Sequence, residues 1–283
     1  MSLVFRRIAL IGKLRSAETE ASLNELRAFL RKRGCEVLPE GESKAGETKA
    51  DLAIVIGGDG TMLGAARELV RHHVPLVGIN QGRLGFMTDI GQSDMQTAIG
   101  SILDGKYSVE ERTLLDAEIL RQGKSVLRTI ALNEAVIGKG SQGRLIEFEL
   151  SVDGEFVYRL RADGIIVSTP TGSTAYALSA QGPILHPAVA GFTLVPLNPH
   201  TLSARPVSVS DRGVIEIAML HALDARAHFD GLALHDMVEG DRLVLKRSAD
   251  TVRFVHPPGY RYFATLREKL GWSESREKRR ATD

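Results

Sequence analysis

The chain has 283 residues, 43% hydrophobic and 25% charged, and its 36 lysines and arginines nearly cancel 35 aspartates and glutamates for a formal net charge of +1. That balance excludes the large basic footprint of a nucleic-acid or anionic-membrane binder. The length supplies one large domain or two modest ones, and a single cysteine, Cys35, excludes an internal disulfide framework and suits a reducing compartment. No stretch approaches the roughly 18 apolar residues of a transmembrane helix. The apolar run ending at Gly12 is too short and too strand-like for a signal segment, so a cytoplasmic protein without a membrane or nucleic-acid partner is expected.

Residues 4–11 read as a strand buried on both faces. Ser16 offers a helix N-cap, with Glu18 and Glu20 in a first turn where the helix dipole favours anions. Leu23, Leu26 and Leu30 recur at helical spacing, and Gly34 suits the stop. Short strands follow at 35–38 and 52–56, separated by a polar loop over 39–49. A helix over 61–73 leaves directly from a glycine turn. A strand at 75–79, a loop with two glycines running to Phe86, and a helix capped by Ser93 and ended by Asp104-Gly105 complete the alternation of a parallel α/β sheet.

From Tyr107 the texture changes to short β-type runs at 114–120, 126–137, 145–152 and 155–160. Ile146, Phe148, Leu150 and Val152 alternate with Glu147, Glu149 and Ser151, and Asp153-Gly154 is a strong hairpin turn. Further runs at 165–168, 193–196, 214–218, 227–229 and 242–246 extend an antiparallel β domain. Phe263, Leu266 and Leu270 then return to helical spacing, predicting a helix over 262–270 stopped by Gly271, whose apolar face needs a partner such as the first domain. Residues 273–283 are charged and expected to fray. The expected organisation is an α/β domain over 1–106, a β-rich domain over 107–255 and a C-terminal segment over 256–283 that returns to the first.

Two segments carry most of the chemistry. Gly57-Gly58-Asp59-Gly60-Thr61 joins a strand to a helix, so backbone N–H groups converge where the helix dipole adds positive character. A carboxylate there repels phosphate, and Asp59 is better suited to a hydroxyl, a metal ion or a proton in transit. A tight turn with Asp59 capping its own backbone accounts for the same residues. No G-x-x-x-x-G-K-[ST] occurs, which excludes a P-loop. The second segment, Thr169 to Ser179, sets five hydroxyls around Gly172 and Tyr176. Hydroxyls bind ribose and phosphate oxygens without a charge penalty, and Tyr176 can stack on a base; capping within an ST-rich turn is the competing use.

Other constellations are weaker. Gly138-Lys139-Gly140-Ser141-Gln142-Gly143 matches G-x-G-x-x-G, but an alternating strand follows it rather than a helix, so a loop is expected. Asn133-Glu134 lies inside a β run, where adjacent side chains face opposite ways and at least one is buried or in a cleft. Arg161 and Asp163, two apart, share one face of an extended segment as an ion pair or a clamp on a polar substrate. His72 and His73 are neighbours, no zinc-type spacing occurs and no G-x-S-x-G elbow is present, so neither a structural metal nor a serine nucleophile is expected.

Taken together, Gly57 to Thr61, Asn80 to Phe86, Leu132-Asn133-Glu134, Asp163 to His186, Pro199 to Pro206 and the ending 262–272 resemble the bacterial NAD kinase family over nearly the whole chain. Gly-Gly-Asp-Gly also occurs in phosphofructokinases and diacylglycerol-type kinases, and the Thr-Pro-Thr-Gly-Ser-Thr-Ala-Tyr segment is the more specific part. The resemblance implies a diacylglycerol kinase-like fold, with an α/β and an all-β domain around the active site, and a homodimer or homotetramer. It implies transfer of the γ-phosphoryl of ATP, with Mg²⁺ or another divalent cation, to the 2′-hydroxyl of the adenosine ribose of NAD, giving NADP. On that resemblance Asp59 is the general base or orienting group, and Gly57, Gly58, Gly60 and Thr61 line the phosphate. Asp59, Gly60, Phe86, Asn133, Glu134, Arg144, Arg161, Asp163, Thr174, Ala175, Tyr176 and Ser179 contact NAD. The chain departs from the family pattern at Leu232, where a glutamine is usual after Asp-Gly, and at Gln181, where a glycine is usual. A lipid or sugar kinase, or a non-catalytic dinucleotide sensor, shares parts of this pattern; an NADP-forming assay separates the three.

Overall fold

Where the first strand begins is decided by Asp51. The Arg6 and Arg7 N–H groups both donate to its Oδ2 at 2.9 Å, so β1 (Arg7–Gly12) starts three residues later than expected. Val4 is exposed, and Ile8 and Ala9 alone are fully buried in β1. The computed structural model describes residues 3–12, 17–39, 50–82, 85–141, 143–231 and 233–272. The expectations for Ser16, most of the 39–49 loop, Leu232 and 273–283 fall outside these residues.

The chain divides into two compact units, Met1–Glu110 with Val252–Asp283, and Glu111–Thr251. In the first, α1 (Ala17–Lys32) buries Leu23, Leu26 and Leu30 and ends before Gly34 at φ +85°, a left-handed position that suits glycine. β2 (Glu36–Val37), β3 (Leu52–Ile56) and β4 (Leu76–Asn80) join β1 in parallel in the order β2-β1-β3-β4. Every residue of β3 and β4 is buried, which is what a strand covered on both faces requires. α2 (Asp59–Leu69) begins two residues earlier than expected, because Gly58 takes the extended N-cap conformation and frees Asp59 and Gly60 to be helical. β5 (Ile90–Gly91) pairs with β4, and a short 3₁₀ turn at 92–94 leads into α3 (Met95–Leu103). Asp94, not Ser93, is the N-cap residue of α3, and no side chain caps it.

The second unit is antiparallel. β6 (Ser108–Arg121), whose first residues belong to the first unit, pairs with β7 (Lys124–Ala131), and β8 (Glu134–Lys139) follows. The single run expected over 126–137 is thus two strands, broken because the Asp230 carboxylate takes the N–H groups of Leu132, Asn133 and Glu134. β9 (Ile146–Val152) and β10 (Glu155–Ala162) form the expected hairpin, with Asp153 and Gly154 both at positive φ. β11 (Gly164–Ser168), α4 (Tyr176–Ser179), β12 (Gly191–Leu197), β13 (Val207–Ser210), β14 (Ile215–His221), β15 (Ala225–Phe229), β16 (Ala233–Met237) and β17 (Arg242–His256) complete it. One sheet runs β13-β12-β11-β8-β15-β16, and the other includes β10-β9-β14-β17. One core draws Phe148, Leu150 and Ile217 from the second sheet and Ile137, Phe192 and Ala227 from the first. β13 and β16 were not legible as strands, and β17 runs ten residues beyond the expected 246.

The end of β17 returns to the first unit, where Phe254 pairs in parallel with Leu76. His256, 3% exposed, lies between Asp89 at 2.9 Å and Glu110 at 3.2 Å, and Tyr260 stacks on its ring at 3.7 Å. Burial alone lowers the imidazole pKa, but the hydrogen bonds to the two carboxylates outweigh it and hold the value above the ordinary one. α5 (Tyr262–Leu270) matches the expected helix, with Gly271 at φ +65° as its stop. Leu266 is buried, whereas Phe263 is 59% exposed, so the apolar face of α5 is narrower than its spacing suggested. Among the described residues no helix is long and apolar enough to cross a membrane.

Candidate active site

Asp59 is the first residue of α2, and its carboxylate does not cap the local backbone. Oδ2 accepts the Phe86 N–H at 2.9 Å and Oδ1 accepts the Met87 N–H at 3.0 Å. Each oxygen retains a second acceptor position, so the group is oriented yet still able to take a hydroxyl proton. Two glycines allow this. A Cβ on Gly57, at φ +155°, would meet Thr61 Oγ1 at 2.6 Å, and one on Gly85 would collide with the Asp59 carboxylate and Thr88. Gly58 and Gly60 are exposed at the helix start, where the first N–H groups have no upstream carbonyl to bond.

In the second unit Asn133 and Glu134 are both 7% exposed, so both members of the pair are buried, where at least one was expected to be. Asn133 Oδ1 and Glu134 Oε2 are buried with no hydrogen-bond partner, an expensive state in a closed interior and a common one in a binding site. Burial, followed by the charge of Asp230, pushes the Glu134 carboxyl up to about 7. The unfolded group, near its ordinary 4.5, loses its proton first, so between about 4.5 and 7 the folded state binds more protons and stability falls as pH rises. The loss across that window is on the order of 3 kcal/mol. Melting temperatures of ligand-free protein measured over this range should show Glu134→Gln gaining on the wild type as the pH rises. A difference that is flat in pH would contradict the shift.

The threonine-rich segment is divided in its use of hydroxyls. Thr169 Oγ1 donates to the Leu132 carbonyl at 2.5 Å and accepts the Gly172 N–H at 3.1 Å. Ser173 Oγ donates to the Pro170 carbonyl at 2.6 Å and accepts the Leu185 N–H at 3.0 Å. Both residues are fully buried, so here the capping use prevails. Thr174 and Ala175 are half-buried, while Tyr176 and Ser179 are exposed. Gln181 sits at φ +66°, a left-handed position that a glycine occupies at no steric cost.

Glu134, Lys139, Asp163, Tyr176, Asn198 and His228 line a cavity of about 410 Å³. Asp163 does not pair with Arg161, because it stands at the junction of β10 and β11. It binds Lys139 Nζ at 2.6 Å and accepts from Asn198 Nδ2 at 2.9 Å, and these hydrogen bonds, Lys139 first, hold its carboxyl below the usual range. Arg161 and Arg144 are exposed. Phe86 is half-buried in the first unit, and its own N–H is one of the two that hold Asp59. No helix follows the Gly138–Gly143 match; β9 does.

Sequence reasoning missed Lys139, Asn198, His228 and Asp230. The alternation of β15 held a signal, since burial of Ala225, Ala227 and Phe229 sends Arg226 and His228 to the other face. Burial, then the charge of Arg226, lowers the His228 pKa. Asp230 stood in the Asp-Gly pair noted for the departure at Leu232, but nothing local gave its role, because its partners lie nearly a hundred residues upstream. Among the described residues no group of three or more His, Cys, Asp or Glu side chains is arranged to hold a metal ion.

Comparison with known proteins bears on the family and the fold. Family models match an ATP-NAD kinase N-terminal domain over residues 43–107 and an ATP-NAD kinase C-terminal domain over 132–257. The chain is 56% identical to an NAD kinase of Aromatoleum aromaticum, covering 96% of each, and 54% identical to one of Azoarcus sp., covering 96% of this chain and 98% of that one. An NAD kinase from Archaeoglobus fulgidus solved with ATP superposes with a TM-score of 0.75 at 27% identity, covering 94% of this chain and 97% of the other. A yeast NADH kinase solved with NADH has the same fold, with a TM-score of 0.85 at 22% identity over 95% and 88% of the two chains.

Proposed function

The chain belongs to the ATP-NAD kinase family, and we propose that Asp59 serves in it as the general base, or the orienting acceptor, for the ribose hydroxyl that receives the phosphoryl group. The reaction is transfer of the γ-phosphoryl of ATP to the 2′-hydroxyl of the adenosine ribose of NAD, giving NADP. The bond from the ribose oxygen to phosphorus forms, the bond to the ADP oxygen breaks, and the hydroxyl proton passes to Asp59. The observation that carries this reading is the Asp59 carboxylate, gripped through one lone pair on each oxygen by the Phe86 and Met87 amides. A ribose hydroxyl is far less acidic than a carboxylic acid, so proton transfer comes late, and positioning supplies most of the rate.

Gly57, Gly58, Gly60 and Thr61 would receive the phosphates at the start of α2, where backbone amides and the helix dipole favour anions. The unpartnered oxygens of Asn133 and Glu134 support their assignment to the adenosine part of NAD. Asp163 and the accessible Thr174, Ala175, Tyr176 and Ser179 would run along the dinucleotide, with Phe86, Arg144 and Arg161 at its margins. A divalent cation would neutralise charge on the transferring phosphoryl, and Mg²⁺ held chiefly by ATP, with at most a carboxylate such as Asp59, fits the described residues, among which no cage of three such side chains is arranged. A homodimer or homotetramer in the cytoplasm completes the reading, and that compartment suits the buried free thiol of Cys35. In an enzyme-coupled assay with ATP and Mg²⁺, NADP should accumulate from NAD, with no product from diacylglycerol or a hexose phosphate. Calorimetric NAD binding without NADP formation would make the chain a sensor and overturn the reading.

A further inference from the structure

Asp230 lies one residue beyond β15, 7% exposed and at φ +53°. Its Oδ2 accepts the Leu132 N–H at 2.9 Å, and its Oδ1 accepts those of Asn133 at 2.7 Å and Glu134 at 3.2 Å. Its own N–H donates to the Glu134 carbonyl at 3.0 Å, closing a ring of contacts around the break between β7 and β8. Three successive buried N–H groups that leave a strand ladder need an acceptor, and a charged one binds them more strongly than a neutral one. Two side chains carried by this stretch, Asn133 and Glu134, each have an oxygen, Oδ1 and Oε2, buried without a partner.

We propose that Asp230 is a positioning residue for the NAD site: by accepting three consecutive backbone N–H groups, its carboxylate sets the angle at which Asn133 and Glu134 meet the dinucleotide. The inference rests on the reading of Asn133 and Glu134 as NAD contacts. Asp230 acts on the bound nucleotide through them. Its charge also reaches Glu134, whose carboxyl is raised first by burial and then by Asp230; Lys139, Asp163 and His228 line the same cavity as Glu134.

The test uses the full-length protein in the NADP-forming assay over a pH series. Asp230→Asn keeps the left-handed backbone, which asparagine tolerates, and one acceptor oxygen, but loses the charge and turns an amino group toward an N–H. The KM for NAD should rise about 10-fold or more while kcat stays within about threefold, the pattern of lost ground-state binding. The KM for ATP should not change. The pH at which the NAD KM changes should move down, because one cause of the raised Glu134 pKa is gone. Asp230→Glu keeps the charge and misplaces the oxygens, so it should raise the NAD KM without that movement. An Asp230→Asn protein with wild-type NAD KM and pH profile, whatever its melting temperature, overturns the inference. Should that variant fail to fold, a wild-type NAD KM in Asp230→Glu overturns it equally. Glu134→Gln separates the two levels. If it leaves the NAD KM unchanged, the contact reading falls and this inference with it. If it raises the KM while Asp230→Asn does not, the inference alone falls.

Discussion

Asp59→Asn is expected to lower turnover by at least ~100-fold while leaving the fold intact. Asparagine has the same shape and still offers one carbonyl oxygen to either the Phe86 or the Met87 N–H, which now bind Asp59 at 2.9 and 3.0 Å. The other N–H would face an amino group, so the loop after Gly85 loosens somewhat, at a typical cost of about 1 kcal/mol for one hydrogen bond. That is too little to unfold a core in which β3 and β4 are buried throughout. What the substitution removes is the proton acceptor. Single-turnover kinetics beside calorimetric NAD binding check this: binding should persist while the chemical step slows. A purified variant retaining activity within roughly tenfold of wild type would end the base role.

Gly172→Ala should be the most damaging methyl group that can be added to the threonine-rich segment. The new Cβ would stand 2.5 Å from the carbonyl carbon of Asn133 and 2.8 Å from its Cα. These are backbone atoms, and no rotamer change can move them aside. Either the turn at 169–174 or the stretch at 132–134 must shift, and the 2.9 Å bond from the Thr169 N–H to the Asn133 carbonyl goes with it. Overpacking of this kind typically costs about 1–3 kcal/mol. Because the displaced residue is Asn133, the KM for NAD should rise about tenfold or more as well. Denaturant unfolding and NAD titration of the kinetics measure the two effects separately. Native stability together with an unchanged NAD KM would show that the two segments are not coupled as the contact requires.

The helix at 262–270 and the strand at 52–56 were legible to the residue because both are bounded by local chemistry: a glycine stop for one, a glycine turn for the other. The hairpin at Asp153-Gly154 was equally legible, since its turn residues and the alternation of β9 need no distant information. Three of the strand errors have a common origin in contacts far apart in sequence. Asp51 withdraws two N–H groups from the first strand, and Asp230 withdraws three from the run at 126–137. Likewise β17 outruns its apolar pattern because its far end pairs with β4.

For the site the division is similar. Residue types and spacing alone determined that a carboxylate sits in a glycine turn at a helix start, that hydroxyls crowd around Gly172, and that the whole resembles an NAD kinase. Tertiary structure decided which of those groups remain available. It assigned Thr169 and Ser173 to fastening the backbone and left Tyr176 and Ser179 exposed. It gave Asp163 to Lys139 instead of Arg161, and brought a loop nearly thirty residues downstream to hold Asp59. The physical reason is that a hydrogen-bonding group has few valences, and which partner takes them depends on distances in space. A linear pattern can announce a reactive side chain; only the folded chain determines whether its lone pairs are already spent.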